Sequence, residues 1–329
     1  MSAGVSSLGR PIVAVVGHVL NGPVRSVFDR IAREAPPDHD VRFILSADDP
    51  AADTAGVPRD RVDRISKADI FAFGYPVKCD ETDWDMAGNL DLVFLEFRRR
   101  HPGRAAYWFL EYDVHWEGAW GVFFERFRGS PADVLAATVF PVQDHPTKYK
   151  IGAYPAQVVP PGMRWEEARI LKAFLPACRL SGRALDALHD AYTAGLGGHY
   201  EINVPSIPSQ HGMEIEDFGG SGQFVRPENQ NRFYFARGNN YSHSPGTFVF
   251  RPAQRPLRRS NTLWHPVKPE GVSVWHPLRI RGSTVKSLVE AGKPLLWQLI
   301  IRLWFATRWR PLRTTAPSAP AGGIERSQA

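Results

Sequence analysis

RPIVAVVGHVL, residues 10–20, is an apolar run with no alternation between greasy and polar positions. A strand that is hydrophobic at successive positions is covered on both faces, which is the mark of a strand inside a parallel sheet. Parallel strands need crossover connections, usually helices. GPVRSVFDRIAREAP, 22–36, supplies the first, with Val24, Val27, Phe28 and Ile31 at helical spacing and Pro36 as the stop.

The alternation continues along the chain. Further strands are expected over 40–48 (DVRFILSAD), 68–77 (ADIFAFGYPV), 105–116 (AAYWFLEYDVHW) and 132–142 (ADVLAATVFPV). Helices are expected over 89–103, with Leu90, Val93, Phe94 and Phe97 on one side, over 118–129, and over 181–198. Strand and helix in turn predict an α/β fold with a mostly parallel sheet flanked by helices. From GGHYEINVPSI to about residue 245 the chain is rich in Gly, Pro, Asn and Ser, which predicts long loops of the kind that bind ligands. Short strand and loop elements follow over 245–254 and 260–271, and no internal repeat is present.

At 329 residues, 43% hydrophobic and 22% charged, the chain has the composition of a folded globular protein with a sizeable core. We expect one catalytic-size domain over 1–280, a basic extension over 281–313 and a disordered tail over 314–329. Its two cysteines, Cys79 and Cys178, fit a reducing, cytoplasmic setting. The net charge of +6 is uneven, since residues 251–313 carry many Arg and Lys against only Glu270 and Glu290. That end suits an anionic partner or is a solvated basic face.

PLLWQLIIRLWFATRW, 294–309, is too short to span a membrane and is interrupted by Arg302. As a helix it has a narrow polar stripe of Gln298, Arg302 and Ala306. It would either lie peripherally on the inner face of a membrane or pack on the domain. Leu and Ile dominate where base-stacking rings would be needed, so nucleic-acid binding is not expected.

The chemistry gathers at YWFLEYDVHWEG, 107–118. Successive side chains on a strand face opposite ways, so Glu111, Asp113 and His115 are expected on one side, at the C-terminal end of the strand. Ligands of open α/β sheets bind there. Two carboxylates at one place repel unless a cation neutralises them. A hard divalent ion such as Mg²⁺ or Mn²⁺ suits oxygen ligands and bridges to substrate phosphates; a salt bridge to a neighbouring Arg is the structural alternative.

An apolar strand ending in Glu111-Tyr112-Asp113 after about a hundred residues of βαβ resembles the DxD motif of GT-A nucleotide-sugar glycosyltransferases. The wider WFLEYDVHWEGAWGVFF resembles the E-x-D-V/I-x-x-x-G-x-W/Y neighbourhood of an uncharacterised group of glycosyltransferase-like proteins from bacteria and fungi. The resemblance covers roughly residues 10–270 and departs from the motif in having Glu for its first Asp. It implies a GT-A-like Rossmann-type fold and Mn²⁺ or Mg²⁺ as cofactor. It also implies a nucleotide-sugar donor, with a glycan or lipid-linked acceptor. Asp113 would bind the metal, and Glu111 would hold the ribose or a metal-bound water. His265 of LWHPVKP would be a further metal ligand and Lys268 a phosphate contact, while VWHPL repeats the pattern at His276.

A transfer to a hydroxyl needs a base. GGHYEINVPS resembles an acceptor-side G-H-x-E segment and points to Glu201, with Asp217 of MEIEDFGG second. Glu201 could equally fix its loop through backbone bonds. The donor is expected over the end of the first strand, at His18 and Arg25 of GHVLNGPVRS near a helix start. DWDMAGN, 83–89, would touch the base or ribose, or cap a helix through Asp85. Two other functions compete with this one: a metal-dependent hydrolase using Glu111, Asp113 and His115, and a non-enzymatic membrane-bound protein led by the basic end.

Overall fold

The structure, a computed structural model, describes residues 9–48, 52–79, 86–144, 158–235, 246–250, 256–257, 260–269, 299 and 303. Its centre is a seven-stranded sheet. The strands are β1 (Ile12–Gly17), β2 (Asp40–Ser46), β3 (Val62–Ile65), β4 (Tyr107–Glu111), β6 (Val134–Pro141), β7 (Leu171–Leu180) and β8 (Ile215–Asp217), in the order β3-β2-β1-β4-β7-β6-β8. β5 (His115–Trp116) and β9 (Leu263–Trp264) form a separate antiparallel pair. In the main sheet only β7 runs against the rest, between β4 and β6. This is the α/β architecture expected from the sequence, a mostly parallel sheet flanked by helices.

Alternation within β1 sorts the core into two layers. Val13 and Val15 face α1 (Gly22–Glu34) and α4 (Trp120–Phe127), with Phe28, Trp108 and Phe123. Ile12, Ala14 and Val16 face the opposite layer, where α3 (Leu90–Arg100), α5 (Gly182–Thr193) and α6 (Tyr200–Gln210) pack with Phe94 and Phe109. Every residue of β1, β6 and β7 is buried, as two covered faces require. α1 begins where expected because the Asn21 side chain accepts a hydrogen bond from the Val24 amide at 3.1 Å, with a proline in the first turn.

Four expectations are corrected. Residues 68–77 are not a strand: the third strand is β3, and Lys67–Phe71 form a short helix, α2. Ser66 and Asp69 cap it reciprocally, a box that outweighs the apolar run after it. The strand expected over 105–116 ends at Glu111; the Val114 amide bonds back to the Glu111 carbonyl at 2.9 Å, and His115–Trp116 pair with β9 instead.

The third correction is β7, which was not expected at all. The fourth is α6, which lies where loops were expected and runs through Pro205 and Pro208. Proline disfavours a helix interior, but residues 200–208 are buried, and tertiary packing overrides propensity. Ser206 Oγ staples the helix to β7 by accepting from the Leu171 amide and donating to its carbonyl, each at 2.9 Å.

Asp85, His276, the 281–313 extension except Leu299 and Leu303, and the 314–329 tail lie outside the described residues. Those two leucines are helical and exposed. No helix among the described residues is long and apolar enough to cross a membrane.

Candidate metal and donor site

β1 and β4 run side by side and parallel, with Val16 opposite Glu111. The chain therefore leaves both strands at one edge of the sheet, the C-terminal edge where α/β proteins bind ligands. Gly17 makes that exit possible. A Cβ there would meet the Phe43 ring at 3.0 Å and the Tyr112 ring at 3.1 Å, so a larger residue would have to push these rings aside.

After Glu111 the backbone turns. The Tyr112 amide still bonds to the Val16 carbonyl at 2.9 Å, and the Asp113 carbonyl accepts from Val267 at 2.8 Å. This last bond draws the distant 263–268 segment across the site. His265 is held there by its own amide on the Thr247 carbonyl at 2.8 Å, and its ring lies against Phe174 and Phe248.

One ligand atom from each of Glu111, Asp113 and His265 lies within 4.8 Å of the others. His265 Nε2 is 3.5 Å from Asp113 Oδ1 and 3.6 Å from Glu111 Oε2. Asp113 and His265 are buried, and Glu111 is half-buried. The Lys268 ammonium contacts Asp113 Oδ2. Asp113 Oδ1 is buried with no hydrogen-bond partner, its nearest charged neighbour being His265 Nε2.

Burial works to raise the Asp113 pKa, but His265 and then Lys268 outweigh it and hold the carboxyl well below the usual carboxylate range. Burial likewise opposes charge on His265, yet Asp113 and Glu111 push it up to about 10. The expected repulsion between Glu111 and Asp113 is thus relieved by two cations of the chain itself.

The residues fit a hard divalent ion. His265 Nδ1 lies 2.7 Å from the Val249 carbonyl, which makes it a donor and aims Nε2 at the two carboxylates, where an arriving ion would displace the Nε2 proton. The orphaned Asp113 oxygen faces that same nitrogen. Oxygen, oxygen and imidazole are a donor set for Mn²⁺ or Mg²⁺, without the thiolates that favour softer ions.

His115 stands apart from this cluster. The broken strand turns it to Glu117, 3.0 Å away, and His265 takes the third position. His18 follows β1 and meets the Tyr112 ring edge-on at 5.6 Å, while the Lys268 ammonium lies 5.2 Å from the centre of that ring. Arg25 lies on α1, where its guanidinium donates to the Ala55 carbonyl at 2.5 Å and pairs with Asp29 at 3.2 Å.

Glu201 lies in the first turn of α6 and pairs with Lys172 at 2.9 Å, the side chains being 7% and 3% exposed. Lys172 lies two residues before Phe174 on β7, and the Phe174 ring packs against His265. His199 caps α6 by accepting from the Glu201 amide, and burial pulls its pKa down to about 4. Gly88 of DWDMAGN lies beside the His199 ring.

Asp217 is 1% exposed. Its oxygens accept from the Gly219 and Val139 amides at 3.0 and 2.9 Å and from the Tyr234 hydroxyl at 2.8 and 2.9 Å. Burial pushes its carboxyl up to about 7 against those bonds. It ties the irregular part of β6 to the 218–235 loop.

Sequence reasoning missed Lys172 and Tyr234. The signal for Lys172 was present: one lysine inside the apolar ILKAFLPACRL marks a buried cation in need of an acid.

No family model and no curated protein matches the chain in sequence. Among solved structures, the apo form of mouse xyloside xylosyltransferase 1 is similar with a TM-score of 0.34 and 14% identity, over 66% of this chain and 88% of that one. At that score it assigns no residue, donor or acceptor to this protein.

Proposed function

We propose that this chain is a metal-dependent glycosyltransferase of GT-A type. It would move a sugar from a nucleoside-diphosphate donor to an acceptor hydroxyl, the acceptor being a glycan or a lipid-linked saccharide. One observation carries the reading: a buried Asp113 oxygen with no hydrogen bond, 3.5 Å from a histidine nitrogen whose ring is fixed from behind, at the C-terminal edge of β1 and β4.

Asp113 and His265 would hold Mn²⁺ or Mg²⁺, with Glu111 alongside as a further ligand or a contact to the ribose. The ion supplies positive charge that offsets the negative charge growing on the leaving diphosphate. Lys268 would meet the phosphates as a point charge, and His18 would flank the donor over Tyr112. Arg25, one turn into α1, is the outer candidate for donor binding.

For the base, Glu201 is preferred to Asp217. Glu201 pairs with the Lys172 ammonium at 2.9 Å, and a carboxylate can accept the proton of the acceptor hydroxyl. Both carboxylates are buried, but both oxygens of Asp217 already accept hydrogen bonds from the chain. The hydrolase alternative uses His115, which pairs with Glu117 and stands outside the group of Glu111, Asp113 and His265, so the transferase reading is preferred.

The test is a panel of nucleotide sugars, followed for release of the nucleoside diphosphate with and without Mn²⁺, in the wild type and Asp113→Ala. Metal-dependent turnover that Asp113→Ala abolishes supports the reading. Turnover unchanged by Asp113→Ala, or no donor bound by the wild type, sinks it.

A further inference from the structure

The Lys268 ammonium sits on one oxygen of the Asp113 carboxylate, and an arriving ion would have to share that carboxylate with it. Asp113 Oδ2 holds this cation, while Oδ1 faces His265 without a hydrogen bond. The frame around them is fixed. The Asp113 carbonyl accepts from Val267, and the His265 backbone is bonded to Thr247 and Val249 on both sides.

The Lys268 side chain is different in kind. It is 28% exposed and ends in a compact ammonium on a four-carbon stem, free to rotate its three donors. Beneath it lies the Tyr112 ring, 5.2 Å from ammonium to centre, an aromatic face that favours a cation over a range of positions. A movable cation thus covers an acid on a rigid frame.

We infer that Lys268 is a built-in stand-in for the divalent ion, neutralising Asp113 until an ion arrives together with the donor's diphosphate. The inference rests on the metal-site reading of Asp113 and His265. An ion arriving alone must share a buried carboxylate with an ammonium or displace it, and two positive charges at one acid repel. An ion arriving with a diphosphate brings the ammonium a new anionic partner, so that displacement no longer strands it. Metal and diphosphate therefore bind with positive coupling, and the coupling is reciprocal. An ammonium that only contacted phosphate would leave binding of the ion alone unaided or unaffected; a stand-in opposes it.

Removing the ammonium should accordingly move two affinities in opposite directions. Mn²⁺ binding to the full chain is followed by calorimetry and by the electron paramagnetic resonance of free Mn²⁺, in the wild type, Lys268→Met and Lys268→Arg. Lys268→Met is expected to bind Mn²⁺ alone roughly ten- to a hundredfold tighter, the range for one charge-assisted hydrogen bond that the ion no longer displaces. It should bind inorganic pyrophosphate at saturating Mn²⁺ more weakly than the wild type. Lys268→Arg keeps a cation and should stay near the wild type in both. Lys268→Ala serves in place of Lys268→Met if thermal melting shows the latter misfolded.

Lys268→Met binding Mn²⁺ no tighter than the wild type, or binding pyrophosphate as well as it does, overturns the inference while leaving the metal site standing. If neither the wild type nor any variant binds Mn²⁺, with or without pyrophosphate, the metal-site reading fails and the inference falls with it.

Discussion

Asp91→Asn keeps the shape of a side chain on α3 and removes its charge. Asp91 and Lys78 are 3.0 Å apart, with side chains 0% and 2% exposed. The Tyr192 hydroxyl also bonds to Asp91, and Lys78 donates to the Gly198 carbonyl at 3.1 Å, one residue before the cap of α6. The substitution leaves the Lys78 cation with a carbonyl and the face of Tyr192, 5.1 Å away, but without its countercharge. Removing one partner of a buried pair costs about 3–5 kcal/mol.

Lys78 can limit that cost by losing its proton. Burial already lowers its pKa, against the pull of Asp91. Without Asp91 the folded-state pKa falls further, so over a wider window the unfolded chain binds a proton that the folded chain has released. Stability then rises with pH in that window and is lost as pH falls through the folded pKa. Urea unfolding of both proteins, followed by tryptophan fluorescence near neutral pH and again two to three units higher, should show a loss of about 3–5 kcal/mol that shrinks at the higher pH. Adding Lys78→Met, which removes the stranded cation, should recover much of it. A loss below about 1 kcal/mol, the scale of an exposed pair, or one that does not change with pH, refutes the reasoning.

Tyr234→Phe removes a hydroxyl that donates to Asp217 and accepts from the Thr138 amide at 2.8 Å, so thermal unfolding should register a loss of about 1–3 kcal/mol. The Asp217 carboxyl is raised from 3.8 to about 7, so its contribution is fully present below about 3.8 and lost as pH rises through about 7. Asp217→Asn should therefore flatten that limb of the stability–pH curve. His115→Ala should leave metal-dependent turnover within about twofold, since its partner is Glu117 and it stands outside the cluster; a complete loss would revive the hydrolase reading.

The sheet was legible wherever local pattern and burial coincide. β1 and β6 are apolar because both faces are covered, and α1 carries its cap and its stop in the sequence. β7 carries a lysine and a proline within its apolar run, and α6 carries two prolines, so neither shows a clean period; long-range packing decides both.

In the candidate site, Glu111 and Asp113 were readable from their place at a strand end. The equal spacing that grouped them with His115 was misleading, because the strand breaks after Glu111. His265, 152 residues beyond Asp113, was named through the family resemblance and not from local pattern, and a short sheet and one backbone bond bring it in. Lys172 could be read as a buried cation, but which acid it pairs with, and the bond of Tyr234 to Asp217, were out of reach, being contacts between segments apart in sequence.

The most direct test of the metal–diphosphate site is a crystal structure of the full chain soaked with Mn²⁺ and a nucleoside diphosphate, using the anomalous signal of manganese. The account predicts one strong peak bound by Asp113 and His265, with the diphosphate on its open side and the Lys268 ammonium turned from Asp113 toward a phosphate oxygen. Manganese bound elsewhere, or a diphosphate bound with Asp113 still paired to Lys268 and no ion beside it, would contradict the account.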